Sequence, residues 1–162
     1  MKSKLRTLAR RLPSGLIRFD PGTLQANSGD AWMASSQPEA VAFPRDTIQV
    51  SKILAFCHRH QIPVTPRGGG RGYVGGCVPI RGGLVLSTLR MNRLREISKE
   101  DGVAVVQPGV ITAKLASAAA VQGLFYPPDP ASLKESTIGG NIATNAGGPR
   151  CLKYGVTRTY IL

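Results

Sequence analysis

Leu5, Leu8, Ala9 and Leu12 recur at helical spacing among basic residues, predicting a surface helix at the start of the chain. A basic, acid-free leader of this kind also suits an organelle transit peptide or an interfacial helix, so these readings stay open. The periodicity then stops. Residues 13–38 are crowded with Gly, Pro, Ser, Asn and Asp, predicting an irregular covering segment with turns at Asp20-Pro21-Gly22 and Ser28-Gly29-Asp30. Short apolar runs follow: Glu39–Pro44 and Ile62–Pro66 read as strands. Between them Asp46 caps a helix whose Val50, Ile53, Leu54 and Cys57 form one apolar face ending near His60. Leu84–Thr88 is a third strand, and the order predicts a small α/β layer with the first two strands paired in parallel. Arg95–Ser98 and Val103–Gln107 flank the turn Lys99-Glu100-Asp101-Gly102 as in a β-hairpin. Thr112 is predicted to cap a helix over Ala113–Gln122, closed by Gly123. Leu124–Leu162 reads mostly as loop and glycine.

At 162 residues the chain has the length of one ordinary domain and is short for a two-domain enzyme. With 42% hydrophobic and 19% charged residues it can bury a core, which excludes global disorder. No run of 18 apolar residues predicts a transmembrane helix, and charges interrupt the leader where a secretory signal would be apolar. A formal net charge of +12 would attract any polyanion, and five of the basic residues lie in the first eleven positions. Only 6% of residues are aromatic and no reading helix stands out, which disfavours nucleic acid as a partner. Three widely spaced cysteines fit neither a disulfide framework nor a zinc site, so a reducing, cytoplasmic location is expected, with no metal.

Candidate chemistry lies in two glycine-rich stretches. The first, Pro66-Arg67-Gly68-Gly69-Gly70-Arg71-Gly72-Tyr73-Val74-Gly75-Gly76, follows a strand directly. Successive glycines there let backbone N–H groups converge on an anion without Cβ interference, so a phosphate or pyrophosphate cradle is the reading; a flexible surface loop is the alternative. Gly70–Gly75 satisfies GxGxxG, but a dinucleotide fingerprint must open a helix, and here the chain runs into Pro79 and Gly82-Gly83 before a strand. The second stretch runs from Ser136-Thr137-Ile138-Gly139-Gly140-Asn141 to Asn145-Ala146-Gly147-Gly148. It offers backbone donors and side-chain amides to a large polar ligand; alternatively its glycines permit tight packing.

In this order and spacing, PRGGGRGYVGG, PPDPAS, TIGGNIATNAGG and CLKYGVT resemble the flavin domain of FAD-linked oxidases of the vanillyl-alcohol oxidase superfamily, in the branch that holds D-lactate dehydrogenase and the flavin-binding chain of glycolate oxidase. The resemblance runs from about residue 35 to the end. It implies an α+β fold, the PCMH-type FAD-binding domain, with a small parallel α/β layer, a mixed or antiparallel layer and FAD between them. Residues 1–34 would form the N-terminal helix and covering segment, and 35–162 the FAD-binding domain. Arg67 and Gly68–Gly72 would wrap the pyrophosphate. Thr137, Gly139, Gly140, Asn141 and Asn145 would border the diphosphate, ribityl and flavin region, with Gly147, Gly148 and Gly155 close to the isoalloxazine.

Relatives that bind flavin covalently use a His in the first loop; Arg71 stands at that position, which implies non-covalent FAD. The implied activity is oxidation of a D-2-hydroxy acid by hydride transfer, with the substrate and catalytic groups in later regions of the family. Those regions lie past Leu162, so the chain is expected to be a C-terminally incomplete fragment without a catalytic residue or cap domain. It is expected to bind FAD weakly or not at all by itself, and a separate chain could supply the rest. A basic nucleic-acid-binding protein and a non-enzymatic interaction module are the alternatives. His58 and His60 are expected to be capping or surface residues.

Overall fold

Helix α1 (Lys2–Arg10) turns Leu5 and Leu8 inward, where both are buried. The helix lies at the surface as expected, with Lys2, Lys4, Arg6 and Arg10 exposed, and its apolar face joins Leu16, Ile17, Ile53 and Cys57 in one cluster. The computed structural model describes all residues, Met1–Leu162, and divides them into two units, Met1–Arg90 and Met91–Leu162. Together they make an α+β fold with parallel and antiparallel pairing.

In the first unit the segment expected to be irregular holds a short strand, β1 (Ile17–Arg18), and a helix, α2 (Pro21–Ala26). Asp20 caps α2, its carboxylate accepting from the Thr23 N–H at 2.9 Å, and Pro21 sits at the first helical position. What reads as a turn signal is a helix start, because proline there gives up a donor the helix does not use. That hydrogen bond holds the exposed Asp20 carboxyl below its ordinary range. β2 (Ala40–Ala42) precedes α3 (Thr47–Arg59), which Asp46 caps as predicted through Gln49 N–H at 2.8 Å. Ile53 and Cys57 are buried, whereas Leu54, expected on the same face, is 44% exposed. Burial pushes the Cys57 thiol up to about 11, so it is a neutral core group. The α3 terminus places the His60 ring 4.2 Å from that of Phe56.

The chain returns through β3 (Val64–Arg67) and β4 (Leu84–Ser87). The strand order is β1-β2-β4-β3, with β2 and β3 each parallel to β4 and β1 antiparallel to β2. The predicted direct pairing of β2 with β3 is therefore replaced: β4 inserts between them. β4 is buried along its whole length, the pattern expected of a central strand covered on both faces. Leu84 and Leu86 join Ala40 and Ala42 under α1 and α3, while Val85 and Val41 pack with Leu24 of α2 on the other side. Pro66 is tolerated because β3 is an edge strand.

In the second unit β5 (Leu94–Ser98) and β6 (Val103–Val106) form the predicted hairpin, with a register shift between Leu94 and Glu96. Helix α4 (Thr112–Val121) ends as predicted: Gly123 adopts φ +75°, its N–H reaching Ala120 O and that of Leu124 reaching Ala119 O. Thr112 is not its cap. Ile111 takes that position, and Thr112 is the first helical residue, fully buried. The region read as loop carries helix α5 (Ile138–Thr144), helix α6 (Cys151–Tyr154) and a 3-10 turn at Thr157–Tyr160. Val110, Leu115 and Ile138 form the core of this unit. No helix is long and apolar enough to cross a membrane.

Candidate functional site

The first glycine stretch leaves the C-terminal end of β3 without forming a helix, so its GxGxxG match is not a dinucleotide fingerprint. Arg67, the last residue of β3, is buried at 9% exposure. Its Nη1 donates to Gly29 O at 2.6 Å and approaches Cys77 O at 3.5 Å and Cys77 Sγ at 3.3 Å. The loop lies across this guanidinium: a Cβ at Gly70, which adopts φ +71°, would fall 2.6 Å from Arg67 Cζ. Only glycine allows that approach.

Arg67 thus carries a buried positive charge on neutral partners directly beneath the loop. The N–H groups of Gly69, Gly70 and Gly72 have no hydrogen-bond partner within the protein. Ser87, register partner of Arg67 at the end of β4, has a buried hydroxyl that is also unpartnered. Free N–H donors beside a buried cation at the carboxyl end of a parallel strand can hold an anionic diphosphate. Beside the loop lies a cleft of about 510 Å³, lined by Ser28, Gly29, Ser35, Gly69, Gly70 and Arg71 among others.

The second stretch is used differently. Thr137 caps α5 through Gly140 N–H at 3.2 Å. The Ile138 N–H donates to Val110 O at 2.9 Å and the Gly139 N–H to Pro108 O at 2.8 Å. All three first-turn donors are therefore taken by the chain itself. A Cβ at Gly139 would fall 2.6 Å from Pro108 Cβ, one at Gly147 2.6 Å from Cys151 Sγ, and one at Gly148 2.6 Å from Asp129 Oδ1. Close packing accounts for these three glycines. Gly155 adopts φ +82° and its N–H reaches Cys151 O, closing α6.

Asn145 ends α5 in the left-handed region, φ +48°, and its Oδ1 accepts from Arg158 N–H at 2.9 Å. Asn141 is buried and its Nδ2 donates to Thr112 Oγ1 at 2.8 Å; that hydroxyl also lies 2.8 Å from Ser136 Oγ and 3.1 Å from Ser136 O. Thr112→Val, nearly equal in shape, would strand these buried polar groups and is expected to lower stability by about 1–3 kcal/mol. Urea unfolding checks this; a loss under ~0.5 kcal/mol would mean that the network is dispensable.

Sequence reasoning missed the support of the first loop. Residues 28–36 fold back on themselves, Asp30 N–H bonding Ala34 O and Ser36 N–H bonding Ser28 O. The only available signal was Asp30, whose Oδ1 accepts from Trp32 N–H at 2.9 Å in an Asx-type turn. No group of three or more His, Cys, Asp or Glu side chains could hold a metal ion.

A family described as FAD binding domain matches residues 38–162, well over half of the chain. This chain belongs to the FAD binding domain family. FAD is the cofactor of that family, and the donor set around Arg67 fits its diphosphate. The resemblance read from the motifs is borne out by the relatives. The chain is 54% identical over 127 residues to glycolate oxidase subunit GlcD of Bacillus subtilis, covering 78% of this chain and 27% of that protein. It is 47% identical over 152 residues to D-lactate dehydrogenase of Archaeoglobus fulgidus, covering 93% and 32%. To D-2-hydroxyglutarate dehydrogenase of Stutzerimonas stutzeri it is 39% identical over 149 residues, covering 91% and 32%. The chain thus spans about a quarter to a third of the length of these curated relatives.

Among solved structures, 4-ethylphenol oxidase from Gulosibacter chungangensis superposes with a TM-score of 0.78 at 28% identity, covering 90% of this chain and 29% of that one. An alkyldihydroxyacetonephosphate synthase reaches 0.87 at 22% identity over 97% and 31%, a likeness of fold.

Proposed function

We propose that this chain is the FAD-holding portion of an oxidoreductase that oxidises a D-2-hydroxy acid of the glycolate or D-lactate type. The observation that carries the reading is the row of free N–H groups at Gly69, Gly70 and Gly72, with Gly70 packed against the buried Arg67 guanidinium. These groups would hold the pyrophosphate, with Gly68 and Arg71 completing the loop. Along the second glycine stretch, Thr137, Gly140 and Asn145 would border the cofactor, and Gly139, Asn141, Gly147, Gly148 and Gly155 would act through the backbone shape they permit.

When bound, FAD supplies a two-electron acceptor for the hydride on the substrate α-carbon. The family's position for a covalent flavin link is Arg71, which forms no such bond, so FAD would be held without one. A further chain or region would carry the cation that holds the substrate carboxylate and the base that takes the hydroxyl proton. A cytoplasmic location fits the three free thiols, Cys57, Cys77 and Cys151.

The test is an equilibrium titration of the 162-residue chain with FAD, followed by flavin fluorescence, with inorganic pyrophosphate as competitor. Weak saturable binding, Kd on the order of 100 μM, displaced by pyrophosphate, is expected. A folded chain, shown by circular dichroism, that binds neither ligand would sink the proposal.

A further inference from the structure

The hairpin at residues 28–36 precedes the segment matched to the family, which begins at residue 38. It nevertheless holds the glycine loop at three places. Gly29 O receives Arg67 Nη1 at 2.6 Å, Ala31 N–H donates to Gly72 O at 3.1 Å, and Asp30 Oδ2 accepts from Gly75 N–H at 2.9 Å. The Trp32 and Tyr73 rings meet edge to face at 6.2 Å, a fourth link between the same two segments. Ser28, Gly29, Asp30 and Ser35 also form a wall of the cleft that Gly69, Gly70 and Arg71 complete.

A loop with this many glycines loses much conformational freedom when it is ordered, and any part of that cost not met before binding weakens the ligand's affinity. Each tie to the hairpin removes some of that freedom in advance. The tie at Gly75 lies on the far side of Gly69–Gly72 from Arg67, so the free N–H groups are clamped at both ends. Asp30 is well placed for this because its two carboxylate oxygens serve two donors, Trp32 N–H within the hairpin and Gly75 N–H in the loop.

We infer that the 28–36 hairpin is a working part of the diphosphate site, with Asp30 as the positioning residue that sets affinity by pre-ordering the glycine loop. This rests on the FAD reading above and extends the site beyond the family segment. Asp30 touches no ligand in this account; it acts through Gly75.

Asp30→Ala is expected to weaken both FAD and inorganic pyrophosphate about tenfold or more. In the unaltered chain, amide shifts at Gly69, Gly70 and Gly72 should follow pyrophosphate binding, and these should be lost at the same ligand concentration in the variant. Trp32 is the sole tryptophan, so its fluorescence reports directly on the hairpin during the titration. Asp46→Ala, which removes the cap of α3 in the same unit, separates positioning from plain destabilisation: its melting temperature should fall while its affinities stay within twofold.

If Asp30→Ala does not fold, Asp30→Asn carries the test, because asparagine can accept from only one of the two N–H groups; a loss of threefold or more is then expected. Unchanged affinity in the Asp30 variants, with the unaltered chain binding normally, overturns this inference and leaves the FAD reading standing. An equal loss in Asp46→Ala also overturns it. Failure of the unaltered chain to bind either ligand overturns both.

Discussion

Gly83→Ala is expected to destabilise the first unit by about 2–5 kcal/mol. Gly83 adopts φ +77°, and a Cβ there would fall 3.0 Å from the Pro63 carbonyl carbon, with its oxygen nearer still. That oxygen accepts the Leu84 N–H at 2.9 Å, the bond that begins the β3–β4 pairing. Gly83 also gives its carbonyl to Glu39 N–H and its own N–H to the Glu39 carboxylate, so the same residue joins β2 to β4. A left-handed non-glycine residue costs roughly 1–2 kcal/mol and forced overpacking about 1–3 kcal/mol more. Against a typical domain stability of about 5–15 kcal/mol this is a large share. Gly15→Ala is the control: φ is +72° but no atom lies within 4 Å of the new Cβ, so only the backbone term, about 1 kcal/mol, should appear. Equal losses for the two variants in urea unfolding would show that the contact with Pro63 is unimportant.

Gly70→Ala should reverse the balance, costing affinity more than stability. The new methyl would displace the Arg67 guanidinium or lift the loop away from it, and either movement misdirects the N–H groups of Gly69 and Gly70. We expect FAD affinity to fall about 100-fold, some 2.7 kcal/mol, with a stability loss of about 1–2 kcal/mol. Gly76→Ala places its Cβ in open space and should change affinity less than threefold. Parallel FAD titrations of the two variants check this, and similar Kd values for both would remove Gly70 from the cradle.

Much of the site was legible in the chain because local chemistry controlled it. Asp46 announces α3 by a cap, Gly123 closes α4 by its left-handed conformation, and the glycines from Gly68 onward announce a loop that approaches something closely. The misreadings share one cause. Asp20-Pro21-Gly22 is as good a turn as a helix start, and Thr137 with two following glycines is a poor helix by propensity. Tertiary contacts tipped both: Leu24 packs on Val41 and Val85, and the first-turn N–H groups of α5 find Val110 O and Pro108 O.

Signals confined to a few neighbouring residues were enough to place α3, α4, the β5–β6 hairpin and the glycine-rich loop after β3, and the order of the motifs was enough to point to the FAD family. It took the folded chain to place β4 between β2 and β3, to choose what the apolar face of α1 packs on, and to bring Asp30 onto Gly75, 45 positions further along. Strand order and loop support depend on contacts between residues far apart in sequence. Such contacts leave no local periodicity to read, because each partner alone looks like an ordinary strand, helix or turn.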